Sequence, residues 1–332
     1  MVIMGIKLYS NEPVKKLIKS MISKKREPHS IVITGERGQG KKALAGYIAA
    51  SVLCESGSGE PCGQCRSCRM MDRGVHPDFI SAKANENGNY QVDVIRELVS
   101  DAVIKPNEGK FKVYLISDLD RSSSTSVQVQ NILLKLIEEP PEHCIIILTA
   151  ATKEIFLETV ISRVLCLGAL PCNDTDIIEF LEERYLKASE YTYQDIEKAA
   201  AFGGGNIGRC IEFLEDRSVS PAMDIAKLSA EAVYQGNEYE LLKAFFIADG
   251  KKAIFRRALE LLEEGFRDAC VLRLGIDRTV GCMPEISAKL AGRFSIDGCR
   301  EIYELLGDYI NRLDANTNLT LTMNSLAARF FK

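Results

Sequence analysis

One stretch near the N-terminus restricts the fold more than any other. The apolar run SIVITG (30–35), a glycine-rich turn and the helix-like stretch 41–54 follow one another almost without interruption. A strand that hands its chain straight to a helix is returned to the same sheet by a crossover, so the next strand runs parallel to it. Three more β-rich runs follow, DFISAK (78–83), KVYLISD (112–118) and CIIILTA (144–150), with helix-like stretches at 91–103 and 125–138 between them. The order strand, helix, strand predicts an α/β fold: a parallel sheet with helices on both faces.

After LCLGALPCNDTDIIEFL (165–181) the strand signals stop. Apolar residues then recur at helical spacing over 174–187, 194–201 and 207–215, with GGGN (203–206) separating the last two. From about residue 221 long amphipathic stretches at 251–274 and 297–331 read as an all-α bundle. The expected division is 1–168 as the sheet domain, 169–220 as a small helical domain and 221–332 as a helical bundle. A chain of 332 residues is long enough for two or three such units.

The same punctuation frames a chemical motif. In ITGERGQGKKALAG, Gly35, Gly38, Gly40 and Lys41 stand where a phosphate-binding loop places its glycines and lysine. Backbone N–H groups of such a loop, and the helix N-terminus behind it, can meet phosphate oxygens. The motif then requires a Ser or Thr hydroxyl to ligate Mg²⁺, and here the residue is Lys42, which cannot ligate a cation. We expect the Lys42 ammonium to turn outward and the loop to bind ATP or ADP weakly or not at all. The alternative is a loop kept only to pack strand against helix.

Hydrolysis needs a second element, an apolar strand ending in Asp and then usually Glu. VYLISDLDR offers Ser117 and Asp118 in one register, or Asp118 and Leu119 in the next. Neither register supplies both carboxylates. Two separate deficits in one site argue against turnover.

Between the helix of the loop and the next strand lies CESGSGEPCGQCRSC, with Cys54, Cys62, Cys65 and Cys68. Four thiolates with two-residue spacers can close a tetrahedral Zn²⁺ shell, and the absence of a further polar ligand in the stretch marks the zinc as structural. An iron–sulfur cluster and unligated surface thiols are the alternatives. His76 is expected to order the turn before the next strand.

Taken in order, the phosphate loop, the cysteine insertion, NILLKLIEEPPEHCIIILTA (131–150) and VISRV (160–164) resemble the bacterial clamp-loader subunits of DNA polymerase III, which are AAA+ proteins. The resemblance covers 1–215 with specific motifs and reaches the end more loosely through LDANTNLTLTMNSL (313–326), which looks like the family's collar. It implies an AAA+ module, a helical lid and a collar, docked in a hetero-oligomer with tau or gamma motor subunits and delta. That complex loads the sliding clamp onto primed DNA during replication. The incomplete loop and strand end are those of the delta-prime branch, a non-hydrolysing stator within the polymerase (nucleotidyltransferase) holoenzyme. A divergent ATP-hydrolysing tau/gamma motor and an unrelated phosphate-loop protein are the alternatives.

The family's Ser-Arg-Cys motif falls on Ser162, Arg163 and Val164. Carried over, Arg163 is an arginine finger in trans, serving a neighbouring subunit's ATP site, an interaction worth about 10³–10⁵ in rate elsewhere. The alternative is an arginine paired with a local carboxylate. Thr149 or Thr152 falls at the first sensor position and Arg209 at the second, and both read as remnants. His29 is expected to cap or pack. Lys24, Lys25 and Arg26 read as solvated surface, and a net charge of −4 leaves DNA contact to local patches. No apolar run is long enough for a membrane span and the N-terminus lacks the pattern of a signal peptide, so a cytoplasmic location is expected.

Overall fold

The computed structural model describes residues 6–85, 89–121, 126–186, 191–276, 279, 281–315 and 317–331. The chain forms two compact units, one of residues 1–177 with 205–208, the other of 178–204 with 209–332.

The first unit contains β1 (Ser30–Thr34), β2 (Phe79–Ser81), β3 (Lys112–Ile116), β4 (Cys144–Ala150) and β5 (Leu165–Gly168) in one sheet of order β2-β3-β4-β1-β5. Every pairing is parallel. Its helices are α1 (Glu12–Ser23), α2 (Lys41–Leu53), α3 (Arg66–Asp72), α4 (Val92–Asp101), α5 (Ser126–Glu138) and α6 (Glu158–Ile161), and α7 (Asp174–Tyr185) begins in it. The apolar runs of the central strands are continuous, as strands covered on both faces require. Alternation sorts their side chains. Val32, Tyr114, Ile116, Ile146 and Leu148 pack on one face with α4 and α5, and Ile31, Ile33, Val113, Leu115 and Ile147 on the other with α1 and α2.

The four expected strands are present. The fifth, β5, is not evident from sequence, because LCLG is only four residues long and runs into the segment before Pro171. It sits at the sheet edge beside β1, with Ile31 opposite Leu165.

The second unit is helical, with most of α7, then α8 (Tyr193–Gly203), α9 (Ile207–Glu215), α10 (Val219–Gln235), α11 (Glu238–Phe246), α12 (Lys252–Arg273), α13 (Pro284–Arg293), α14 (Ile296–Asp314) and α15 (Leu319–Phe330). One apolar core runs through it from Phe202 to Ala327, centred on Phe245, Phe255, Phe266 and Tyr309. The stretch 297–331 is not one helix but two, because the Asn318 side chain accepts a hydrogen bond from the Leu321 N–H (3.0 Å) and starts α15 afresh. Positions 125 and 187, expected helix ends, and 316, inside the amphipathic stretch 297–331, lie outside the described residues. Among the described residues no helix is long and apolar enough to cross a membrane.

Candidate functional site

The sheet order places β4 between β1 and β3. The loop after β1 and the residues after β3 therefore flank the end of β4, where Thr149 is fully buried. Gly35, Gly38 and Gly40 all have positive φ, so the loop turns as its glycines imply. Its interior is already occupied. Lys41, only 7% exposed, donates from Nζ to the carbonyls of Gly35 (2.7 Å) and Glu36 (3.0 Å). The Gln39 side chain accepts the Glu36 N–H (2.7 Å), which removes one donor a phosphate would use. From outside, Asn206 Nδ2 donates to Arg37 O (2.8 Å) and the Gly208 N–H to Gly38 O (2.9 Å). The approach at Gly38 is so close that a Cβ there would lie 2.3 Å from Asn206 Oδ1.

Lys42 does not turn outward. Its Nζ lies 2.8 Å from Asp118 Oδ2, with the two side chains 35% and 24% exposed. The reason is tertiary: the sheet brings the Asp118 carboxylate, 76 positions away in the chain, within reach of the ammonium. Asp118 follows the end of β3 at φ 55°, held there by its N–H donating to Thr149 Oγ1 (2.9 Å). Of the neighbouring candidates, Ser117 is tied to Tyr90, whose hydroxyl donates to Ser117 O (2.6 Å), and Leu119 is buried in the core. Asp118 is thus the acid this turn presents toward the loop, and an ammonium satisfies it. Asp120, which sequence reasoning passed over, accepts the Ala151 N–H (3.1 Å) and anchors the same turn to the end of β4.

Cys54, Cys62, Cys65 and Cys68 converge. Their sulfur atoms lie within 4.8 Å of one another, and Cys62 Sγ and Cys68 Sγ are 4.0 Å apart. Tetrahedral zinc with Zn–S bonds of about 2.3 Å sets sulfurs about 3.8 Å apart, so this donor set fits a metal ion. Backbone N–H groups point at the sulfurs: Cys62 N at Cys54 Sγ (3.4 Å), Cys65 N at Cys62 Sγ (3.4 Å) and Cys68 N at Cys65 Sγ (3.3 Å). Such donors favour thiolates. The N–H groups of Gln64 and Cys65 bring the Cys62 thiol down to about 6, whereas burial pushes Cys68 up. Gly59, at φ 82°, lets the cysteine loop pass over α1, where a Cβ would stand 2.7 Å from Lys19 O. His76 does not join the cluster. Its Nδ1 accepts the Asp78 N–H (3.1 Å), leaving the proton on Nε2 to be donated to Ser67 Oγ (2.8 Å), and burial lowers the pKa of the ring.

Arg163 lies just beyond α6, 43% exposed on its side chain. Nε faces Glu138 Oε1 at 3.2 Å, and Nη1 donates to Thr159 O and Ser162 Oγ, both at 3.0 Å. Val164 packs partly buried against the sheet core. His29 packs as expected, its Nδ1 donating to Cys144 O (3.1 Å). Lys24, Lys25 and Arg26 are exposed. Thr152 is exposed ahead of a short 3-10 turn. In the second unit, Arg209 grips Glu264 of α12 with both Nη atoms (3.0 Å each). That pairing is structural, joining α9 to α12.

Residues 10–170 match the family model described as DNA polymerase III, delta subunit. Through this segment, just under half of its length, the chain is similar to that family. The segment takes in the loop, the cysteine cluster, Asp118 and Arg163, and ends before Arg209. The chain is also similar to the DNA polymerase III subunit gamma of Buchnera aphidicola (Schizaphis graminum), 30% identical over 211 residues, 63% of this chain and 57% of that protein. It is 35% identical to subunit tau of Bacillus subtilis over 153 residues, 46% of this chain and 26% of tau. It is 30% identical to subunit delta' of Bacillus subtilis over 173 residues, 52% of this chain and 51% of delta'. The chain thus spans little more than half the length of the gamma subunit it matches.

Proposed function

We propose that the chain is a delta-prime-like, non-hydrolysing subunit of a DNA polymerase III clamp loader. The observation that carries this reading is the Lys42–Asp118 ion pair of 2.8 Å. Magnesium in an active phosphate-loop site is held by a hydroxyl after the loop lysine and by the strand-end carboxylate. Here the hydroxyl position supplies a fixed cation and the carboxylate is spent on it. With Lys41 bonded into its own loop, the nucleotide site is closed by the protein's own charges, which weighs against the motor reading.

In this reading the subunit works as a rigid stator beside ATP-hydrolysing tau or gamma subunits and delta, in an assembly that places the sliding clamp on primed DNA. Residues 169–220 serve as its lid and 221–332 as its collar. The four cysteines hold a structural zinc, which when bound would tie the loop 54–68 to α3. Arg163 reaches the triphosphate of a neighbouring motor subunit.

The test has two arms. The purified chain titrated with Mg·ATP is expected to show no turnover, and magnesium-dependent hydrolysis by the isolated chain overturns the stator reading. In the reconstituted assembly Arg163→Ala is expected to lower clamp-dependent ATP turnover, and an unchanged rate removes the role in trans.

A further inference from the structure

The guanidinium of Arg163 is held on two sides and open on the third. Nε faces the Glu138 carboxylate at 3.2 Å. Nη1 donates to Thr159 O and to Ser162 Oγ, both at 3.0 Å. The Ser162 hydroxyl spends its own hydrogen on Thr159 O (3.2 Å), so its lone pairs are directed to the arginine. Nη2 has no partner among the described residues. Glu138 is the last residue of α5, where the helix dipole is negative and a nearby carboxylate is itself stabilised by a cation. Glu139 and Pro140 then leave the helix, so the position of Glu138 is set by a fixed helix end and not by a loose loop. The same groove is lined by His29 and Leu165, both on the segments that enter β1 and β5.

We propose that Glu138 and Ser162 are positioning residues that hold the Arg163 guanidinium with its Nη2 edge presented to an anionic oxyanion, the γ-phosphoryl group on the neighbouring subunit. This inference rests on the role of Arg163 in trans given above. A free arginine side chain has rotamer entropy to lose when it is immobilised. Two prior anchors remove most of that loss before the neighbour docks. An anchored guanidinium acts where charge develops, so it raises the turnover number and leaves ground-state nucleotide binding untouched. Exposed ion pairs add little to stability, so the pair is better suited to orientation than to holding the fold.

The experiment reconstitutes the assembly with its ATP-hydrolysing subunits and measures steady-state ATP turnover for wild type, Glu138→Ala, Glu138→Asp, Ser162→Ala, Arg163→Ala and the Glu138→Ala/Arg163→Ala double variant. Loss of an anchor is expected to lower kcat roughly ten- to a hundredfold with KM for ATP unchanged, as misplacement of a reacting group by about 1 Å does. Glu138→Asp should recover part of the loss. The double variant should turn over no more slowly than Arg163→Ala alone, because Glu138 acts only through the arginine. If Arg163→Ala is slow while Glu138→Ala and Ser162→Ala keep the wild-type kcat, the positioning role is overturned and the role in trans survives. If Arg163→Ala itself is unchanged, both fall together. Additive losses in the double variant also overturn the positioning role.

Discussion

Lys42 and Asp118 meet at 2.8 Å across the end of β4, joining the first residues of the helix after the loop to the turn after β3. The contact joins, as an internal ion pair, the two positions that hold magnesium in an active phosphate-loop site.

Removing the cation should reopen the metal position. Lys42→Thr restores a hydroxyl and frees Asp118, so Mg²⁺-dependent ADP binding is expected to strengthen at least tenfold over a wild type weaker than about 1 mM (about −4 kcal/mol). Hydrolysis should stay absent, because the residue after Asp118 is the buried Leu119. Isothermal titration with Mg·ADP, repeated in EDTA, checks both. Identical weak binding by the two proteins would show that Lys41 alone closes the site.

The loop is also held by backbone contact. A Cβ on Gly208 would stand 2.4 Å from Gly38 Cα, where no side chain can move aside. Gly208→Ala is expected to cost about 1–3 kcal/mol, read as a lower urea midpoint. Asn206→Ala, which leaves Arg37 O without its donor, should cost about 1 kcal/mol.

Zinc content follows from the sulfur geometry. The native protein purified without chelator should carry one zinc per chain, measured by elemental analysis and by release with a mercurial reagent. Cys62→Ser should lose most of it, and amide exchange should rise selectively over 54–75. A metal-free native protein with the same exchange pattern would contradict the assignment.

Acid stability should follow Asp78. Its side chain is fully buried; burial alone raises its pKa, but the N–H groups of Asn107, Glu108 and Gly109 outweigh that and lower it below the usual carboxylate value of 3.8. A depressed folded pKa means the unfolded chain binds the proton more readily. The contribution is therefore complete above about pH 4 and is lost as pH falls through the folded value. Asp78→Asn places an amide before three N–H donors and should cost about 2–3 kcal/mol at neutral pH. It should also flatten the acid limb of a stability–pH curve. An unchanged acid limb would assign that limb to other carboxylates.

Periodicity and turn chemistry carried much of the architecture. Central strands buried on both faces must be apolar throughout, so SIVIT and CIIILTA are legible locally, as is the helical spacing of α8 and α9. The four cysteines are legible for a similar reason: their spacing is short enough that backbone turns alone bring the sulfurs together. β5 is not legible, since an edge strand of four residues draws its stability from pairing with β1 and not from its own pattern. The break before α15 rests on a single Asn cap inside a continuous amphipathic pattern.

By itself, the sequence determined which chemistry was missing: no hydroxyl after Lys41, no adjacent pair of acids after β3. Only the tertiary structure decided what took its place. Lys42 and Asp118 are 76 positions apart, and nothing in either segment specifies their meeting until the sheet order sets β4 between β1 and β3. The same holds for Arg163, whose anchors come from the end of α5 and the turn after α6. A charge pair depends on distance and exposure, and both are properties of packed elements, not of neighbouring residues.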